Sequence, residues 1–165
     1  MKNRGFTIIE VLIYISISTM LLFALSSFIV SILETRERSK MISEVEKQGI
    51  YIMEVMTRNV REAQTINNPE VGNFSESLSL NLTEAEKNPT IFNLEDGKII
   101  FQQGSNPPMD LHNNLITIED LKFTNLSRPD TPGIVQIQFT LKYNYLTNRP
   151  IYNYEKKFQS SVSLR

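Results

Sequence analysis

The chain has 165 residues, with 17 basic against 18 acidic side chains and a formal net charge of −1. Charges that closely balanced give no electrostatic footprint for nucleic acid. The absence of cysteine excludes a disulfide framework and thiolate metal ligands, and a single histidine excludes a multi-histidine metal site or a histidine-based catalytic pair.

Lys2 and Arg4 lead into Gly5-Phe6-Thr7-Ile8-Ile9-Glu10-Val11-Leu12-Ile13. From Phe6 to Leu33 the chain contains no Gly, Pro, Lys, Arg or Asp, and Glu10 is its one charge. A helix rises about 1.5 Å per residue, so this run is long enough to cross a hydrocarbon core of about 30 Å. A carboxylate inside it costs on the order of 2.5–3.5 kcal/mol, taking the insertion value for Asp. The leader is too short for an ordinary secretory signal and lacks an A-x-A-like cleavage site. Its two positive charges place the N-terminus in the cytoplasm and the remainder of the chain outside. The hydroxyls of Thr7, Ser16, Ser18, Thr19, Ser26, Ser27 and Ser31 either bond back to helix carbonyls, bridge to neighbouring helices, or are merely tolerated.

The pattern Gly-Phe-Thr-Ile-Ile-Glu-Val-Leu-Ile behind a short basic leader resembles the class III signal of type IV pilins and type II secretion pseudopilins. The resemblance covers about the first thirty residues. It implies that a prepilin peptidase cuts after Gly5 and methylates the new N-terminus on Phe6. It also implies that Glu10, at the position of the family's fifth mature residue, meets the N-terminal amine of a neighbouring pilin or pseudopilin subunit during assembly. The residues alone leave a second reading open, a glutamate at the membrane interface solvated by headgroups. Glu10 lies four residues beyond Phe6, one turn on and on roughly the same face, and a buried carboxylate either neutralises or finds a cation.

Beyond Leu33, Glu34, Arg36, Glu37, Arg38 and Lys40 form a solvated collar. Apolar residues then recur at Met41, Ile42, Val45, Ile52, Met53, Met56, Val60 and Ala63, and this spacing predicts an amphipathic continuation of the same helix. Gly49 lies on or beside the stripe and marks a bend or a close approach by the head. Asn67-Asn68-Pro69 is the expected stop. Many major pilins break this helix partway. No Gly or Pro falls between Phe6 and Gln48, a departure that points to a minor subunit.

Ser77–Leu82 alternates as a short strand, and Thr83–Lys87 reads as a polar turn or one helical turn. Glu95-Asp96-Gly97 between Thr90–Leu94 and Lys98–Gln102 predicts a hairpin with a type I′ turn. Gly104–Pro108 is a loop, and Leu115–Phe123 is a strand with a bulge or turn at Glu119-Asp120. Ser127–Gly133 is a turn. Val135, Ile137, Phe139, Leu141, Tyr143 and Tyr145 line one face of the next strand. Thr147–Pro150 turns the chain, and Tyr154–Leu164 alternates again, pairing antiparallel with its predecessor. The sheet's buried face has an evident partner in the helix stripe.

The predicted architecture is therefore α+β, a long N-terminal helix packed on an antiparallel β-sheet head. Residues 1–5 are the leader, 6–33 the span, 34–66 the amphipathic continuation and 67–165 the head. The head offers little chemistry. Asp110 and His112 follow Pro107-Pro108, but a lone histidine there reads as a loop residue and not a ligand. Glu84/Glu86 and Glu119/Asp120 read as solvated pairs, and no Asp-rich loop has calcium-binding spacing. No cofactor is implied and no enzyme is named. The expectation is a structural subunit, anchored through membrane lipid before assembly, with prepilin peptidase and other pilin-type subunits as partners. The C-terminal strand and long helix resemble the J-type minor pseudopilin of a tip complex. The alternative is a single-pass adhesin or receptor that uses the signal for export.

Overall fold

The computed structural model describes residues 7–129, 132–144 and 154–165. One helix, α1 (Ile8–Glu62), opens the described chain, and nine strands follow: β1 (Ala63–Asn68), β2 (Phe74–Ser75), β3 (Leu78–Leu82), β4 (Thr90–Glu95), β5 (Lys98–Gln103), β6 (Met109–Asp110), β7 (Ile116–Asn125), β8 (Ile134–Tyr143) and β9 (Glu155–Ser163). The chain divides into two compact units, residues 1–40 and 41–165.

In the first unit α1 is long and apolar enough to cross a membrane, with a mean hydropathy of 2.3 over its most apolar window and none of that window buried. Ile8, Leu12, Met20, Phe23 and Phe28 are all exposed. Two of the span's hydroxyls bond back along the helix: Ser16 Oγ donates to Leu12 O at 2.8 Å and Thr19 Oγ1 to Ile15 O at 2.7 Å. These bonds let a polar side chain sit in an apolar run without an unsatisfied donor.

In the second unit α1 buries Met41, Val45, Ile52, Met56 and Val60 of the predicted stripe, joined by Gly49, Val55 and Asn59, while the predicted Ile42 and Met53 are half-buried. It meets Phe92 and Ile99 from one sheet and Ile118, Phe123, Ile137 and Phe139 from another in a single core. Each such side chain contributes about 1.5–3 kcal/mol on full burial. The predicted α+β architecture is thus present, with the long helix packed on antiparallel β-structure.

Two details depart from expectation. The helix ends at Glu62, not near residue 66, because Ala63–Asn68 forms β1 and pairs with β3 from Ala63↔Leu82 to Asn68↔Ser79. Thr65 and Ile66 are β-branched and favour the strand, and the open edge of β3 offers their backbone a partner outside the helix. The head also holds two antiparallel sheets in place of one, ordered β1-β3-β4-β5-β6 and β2-β7-β8-β9. Past β5 the chain pairs back for two residues only, Ile100↔Asp110 and Phe101↔Met109, before leaving to found the second sheet. Neither β1 nor the two-residue β2 and β6 has a sequence signal strong enough to announce itself.

The hairpin is as predicted. Residues of β4 and β5 pair from Thr90↔Gln103 to Glu95↔Lys98, and Asp96 (φ 49°) and Gly97 (φ 73°) take the positive angles of a type I′ turn. Asp120 (φ 54°) sits at a register shift between Glu119 and Lys122, so this pair forms the bulge and not a turn into the strand. Strands β8 and β9 pair without a break from Ile134↔Ser163 to Lys142↔Glu155. Val135, Ile137, Phe139 and Leu141 are buried as the alternation requires, while the expected strand position Tyr145 and the turn Thr147–Pro150 lie outside the described residues.

Strand β9 lies against α1. Lys156 Nζ donates to Glu46 Oε1 at 2.7 Å, and this bond raises the lysine pKa above its ordinary value against an opposing contribution from burial. A raised lysine pKa means that the ion pair is intact below the ordinary lysine range and is lost only as pH climbs through the raised value. Both partners are half-exposed, so the pair adds little at neutral pH. Packing matters more here: a Cβ at Gly49 would strike the ring of Phe158, which stacks on Phe139 with centroids 5.5 Å apart. The glycine therefore serves the close approach anticipated from its place on the stripe. Gly49→Leu should destabilise the detergent-solubilised chain by about 1–3 kcal/mol through overpacking, despite a helix-propensity gain of about 1 kcal/mol. Adding Phe158→Ala should recover part of that loss in thermal unfolding.

Candidate functional site

The candidate site is the start of α1. Thr7 caps it: the amides of Glu10 and Val11 donate to Thr7 O at 3.1 and 3.2 Å, and the Glu10 amide also reaches Thr7 Oγ1 at 3.4 Å. Threonine is favoured at this position because its side chain accepts from an amide the helix itself leaves unpaired. Glu10 then falls in the first turn, where the positive end of the helix dipole favours an anion. The hydroxyl of Tyr14, one turn further on, donates to Glu10 Oε1 at 3.3 Å. Gly5 and Phe6, the expected cleavage and methylation positions, lie outside the described residues.

Sequence reasoning singled out Glu10 but passed over Tyr14. The signal was present, since a donor four residues from a carboxylate on a helix shares its face. The capping spacing Thr7-x-x-Glu10 was equally legible.

The other candidates are spread over the head and do not converge. Asp110 accepts from Lys98 Nζ at 2.8 Å. His112 is buried and turned elsewhere: its Nδ1 lies 2.9 Å from Asn113 O, and its Nε2 accepts the Ile99 amide at 3.4 Å. Both ring nitrogens thus serve the fold, tying the segment after β6 to β5. Asn113 continues the tie by donating to Glu44 Oε1 on α1 at 2.7 Å.

Lys87 pairs with Glu84 at 2.7 Å, and the hydrogen bond it donates to Glu84 is the main cause of a raised Lys87 pKa. Glu86 lies in the short 3-10 turn Ala85–Lys87. Glu119 meets Lys142 at 3.6 Å across β7 and β8. A groove of about 960 Å³ lies at the end of α1 and is lined by Glu54, Arg58, Arg61, Glu62, Glu84 and Arg165 among others. Its wall mixes both signs of charge.

A buried polar centre that the sequence gave no hint of is Asn125. Its Nδ2 donates to Pro69 O at 2.8 Å and its Oδ1 accepts the Ser127 amide at 3.1 Å, holding the connections on either side of β2 and β7 together. This is structural work, since no charged group faces it from these bonds.

Residues 1–26 match the family model described as the prokaryotic N-terminal methylation motif, the signal of type IV pilins and pseudopilins. The match runs from the leader through the capped start of α1 and well into the apolar run, with Gly5, Phe6 and Glu10 inside it, and it supports a pilin- or pseudopilin-type subunit. No curated protein and no solved structure matches the chain.

Proposed function

We propose that the chain is a minor pilin or pseudopilin, a structural and non-catalytic subunit of a type IV pilus or type II secretion-like filament. It is inserted in the cytoplasmic membrane with its N-terminus inside, cut after Gly5 by prepilin peptidase and methylated on Phe6. The span holds it in lipid until assembly. The helix then packs among neighbouring helices, with Glu10 meeting the amine of an adjacent subunit and setting register. The head supplies contacts at the filament surface or in a tip complex that primes assembly, the role of the J-type minor pseudopilins.

The observation that carries this reading is the methylation motif over residues 1–26 joined to an apolar helix that holds one carboxylate in its first turn. A charge in that place has no use to the fold of the head, so its retention needs a partner that arrives later. The absence of a glycine or proline between Phe6 and Gln48 supports the assignment to a minor subunit.

Mass spectrometry of the chain isolated from its own cells should show the loss of Met1–Gly5 and the gain of one methyl group on Phe6. An N-terminus that still begins at Met1 would contradict the reading. Glu10→Gln should leave cleavage and methylation largely intact while sharply reducing the amount of subunit recovered in sheared filaments. Unchanged incorporation of that variant would remove Glu10 from the mechanism.

A further inference from the structure

We propose that Tyr14 is a positioning residue for the Glu10 carboxylate, holding one of its oxygens against pairing with the N-terminus of its own chain and keeping it for the amine of a neighbour. The inference rests on the processing and assembly reading above and names a residue that reading does not use.

The local geometry carries it. Thr7-Ile8-Ile9-Glu10 has the spacing of a capping box, in which the glutamate side chain folds back to the amide of the capping residue. Only one half of that arrangement is present among the described hydrogen bonds, the Glu10 amide on Thr7 Oγ1 at 3.4 Å. The carboxylate is engaged elsewhere: its Oε1 accepts at 3.3 Å from the hydroxyl of Tyr14, whose side chain leans back over the preceding turn. Between Thr7 and Lys40 every residue is exposed except Glu10, which is partly covered.

The bond matters because of what cleavage creates. Cutting after Gly5 places a free amine on Phe6, four residues before Glu10, which makes the chain's own terminus the cation nearest in sequence. Within an apolar medium an ion pair forms readily between such neighbours, and a carboxylate already neutralised in this way has little to offer a second subunit. A hydroxyl bonded to a carboxylate is a charge-assisted donor, stronger than a neutral one. Tyr14 therefore satisfies one carboxylate oxygen before assembly without supplying a charge. Among the described residues no hydrogen bond reaches Oε2, and the positive charge of an incoming amine outcompetes a phenol.

The test uses the full chain beginning at Phe6, reconstituted at high dilution in lipid vesicles so that copies do not meet. A carbodiimide joins the Phe6 amine to the Glu10 carboxylate wherever the two touch within one chain, and the cyclised N-terminal peptide is quantified by mass spectrometry. Tyr14→Phe, which removes only the hydroxyl, should raise the cyclised fraction several-fold over the native chain, and Glu10→Gln should give none. Equal cyclisation in the native chain and Tyr14→Phe would overturn the proposal. A second measurement labels tyrosine with 13C at Cζ and identifies Tyr14 as the resonance lost in Tyr14→Phe. That resonance should move when Glu10→Leu removes the acceptor, and a resonance that stays in place would overturn the proposal as well. Both readouts are independent of processing in cells. If the prepilin reading fails, the cellular N-terminus still begins at Met1, while the vesicle measurements continue to decide the role of the hydroxyl.

Discussion

A carboxylate on a helix apolar enough to cross a bilayer has to be matched by a donor or a cation, and the start of α1 is arranged around that requirement. Water meets it easily, lipid does not. The cost of leaving an ionised side chain in hydrocarbon, a few kcal/mol even on lenient scales, is a substantial fraction of the stability of a small domain. Evolution of the span would remove such a group unless it did something that leucine cannot. In the described structure Glu10 has made the local adjustments open to it: a place in the first turn of α1, where the helix dipole helps, and a hydroxyl from Tyr14. What remains unmet is the charge itself, and in the proposed assembly an amine from another chain supplies it.

The head answers a different constraint. Without cysteine it has no disulfide to hold it, and its core draws on α1 and both sheets. The buried stripe of Met41–Glu62 is the common surface on which the two sheets meet, so the segment that continues the membrane-spanning helix is also the central element of the folded unit. Polar anchors reinforce it from both sides. Glu44 accepts from Asn113, Glu46 from Lys156, and Asn59 from Gln103 at 3.2 Å. The close approach of Phe158 at Gly49 then fixes where β9 crosses the helix.

Much of this was legible in the residues, and the reasons differ from case to case. The apolar run and Glu10 were plain because a membrane imposes a length and excludes charge. The Asp96-Gly97 hairpin was plain because only a few residues accept two successive positive φ angles. Strands β8 and β9 showed themselves through ten or so residues of strict alternation. By contrast, residues 63–66 of β1 were read as helix because their pairing with β3 is a tertiary contact, and no local propensity reveals a partner. The two-sheet division escaped for a related reason: it depends on β5 and β6 pairing for just two residues before the chain departs. At the candidate site, the identity of the acid was evident, whereas its Tyr14 partner was overlooked among the aromatic and aliphatic residues of the span. His112 stood out as a lone histidine and proved to be a brace between loop and strand, a role that only coordinates reveal.

The most direct test of the central claim asks what surrounds the start of α1 in living cells. A photoreactive amino acid placed at Val11, beside Glu10, can be activated in intact membranes and its adducts identified by mass spectrometry. If the acid is retained in order to meet the amine of another subunit, the adducts will include the N-terminal segment of a second processed, N-methylated chain. Adducts confined to lipid, with no second chain captured at any stage of growth, would contradict the account.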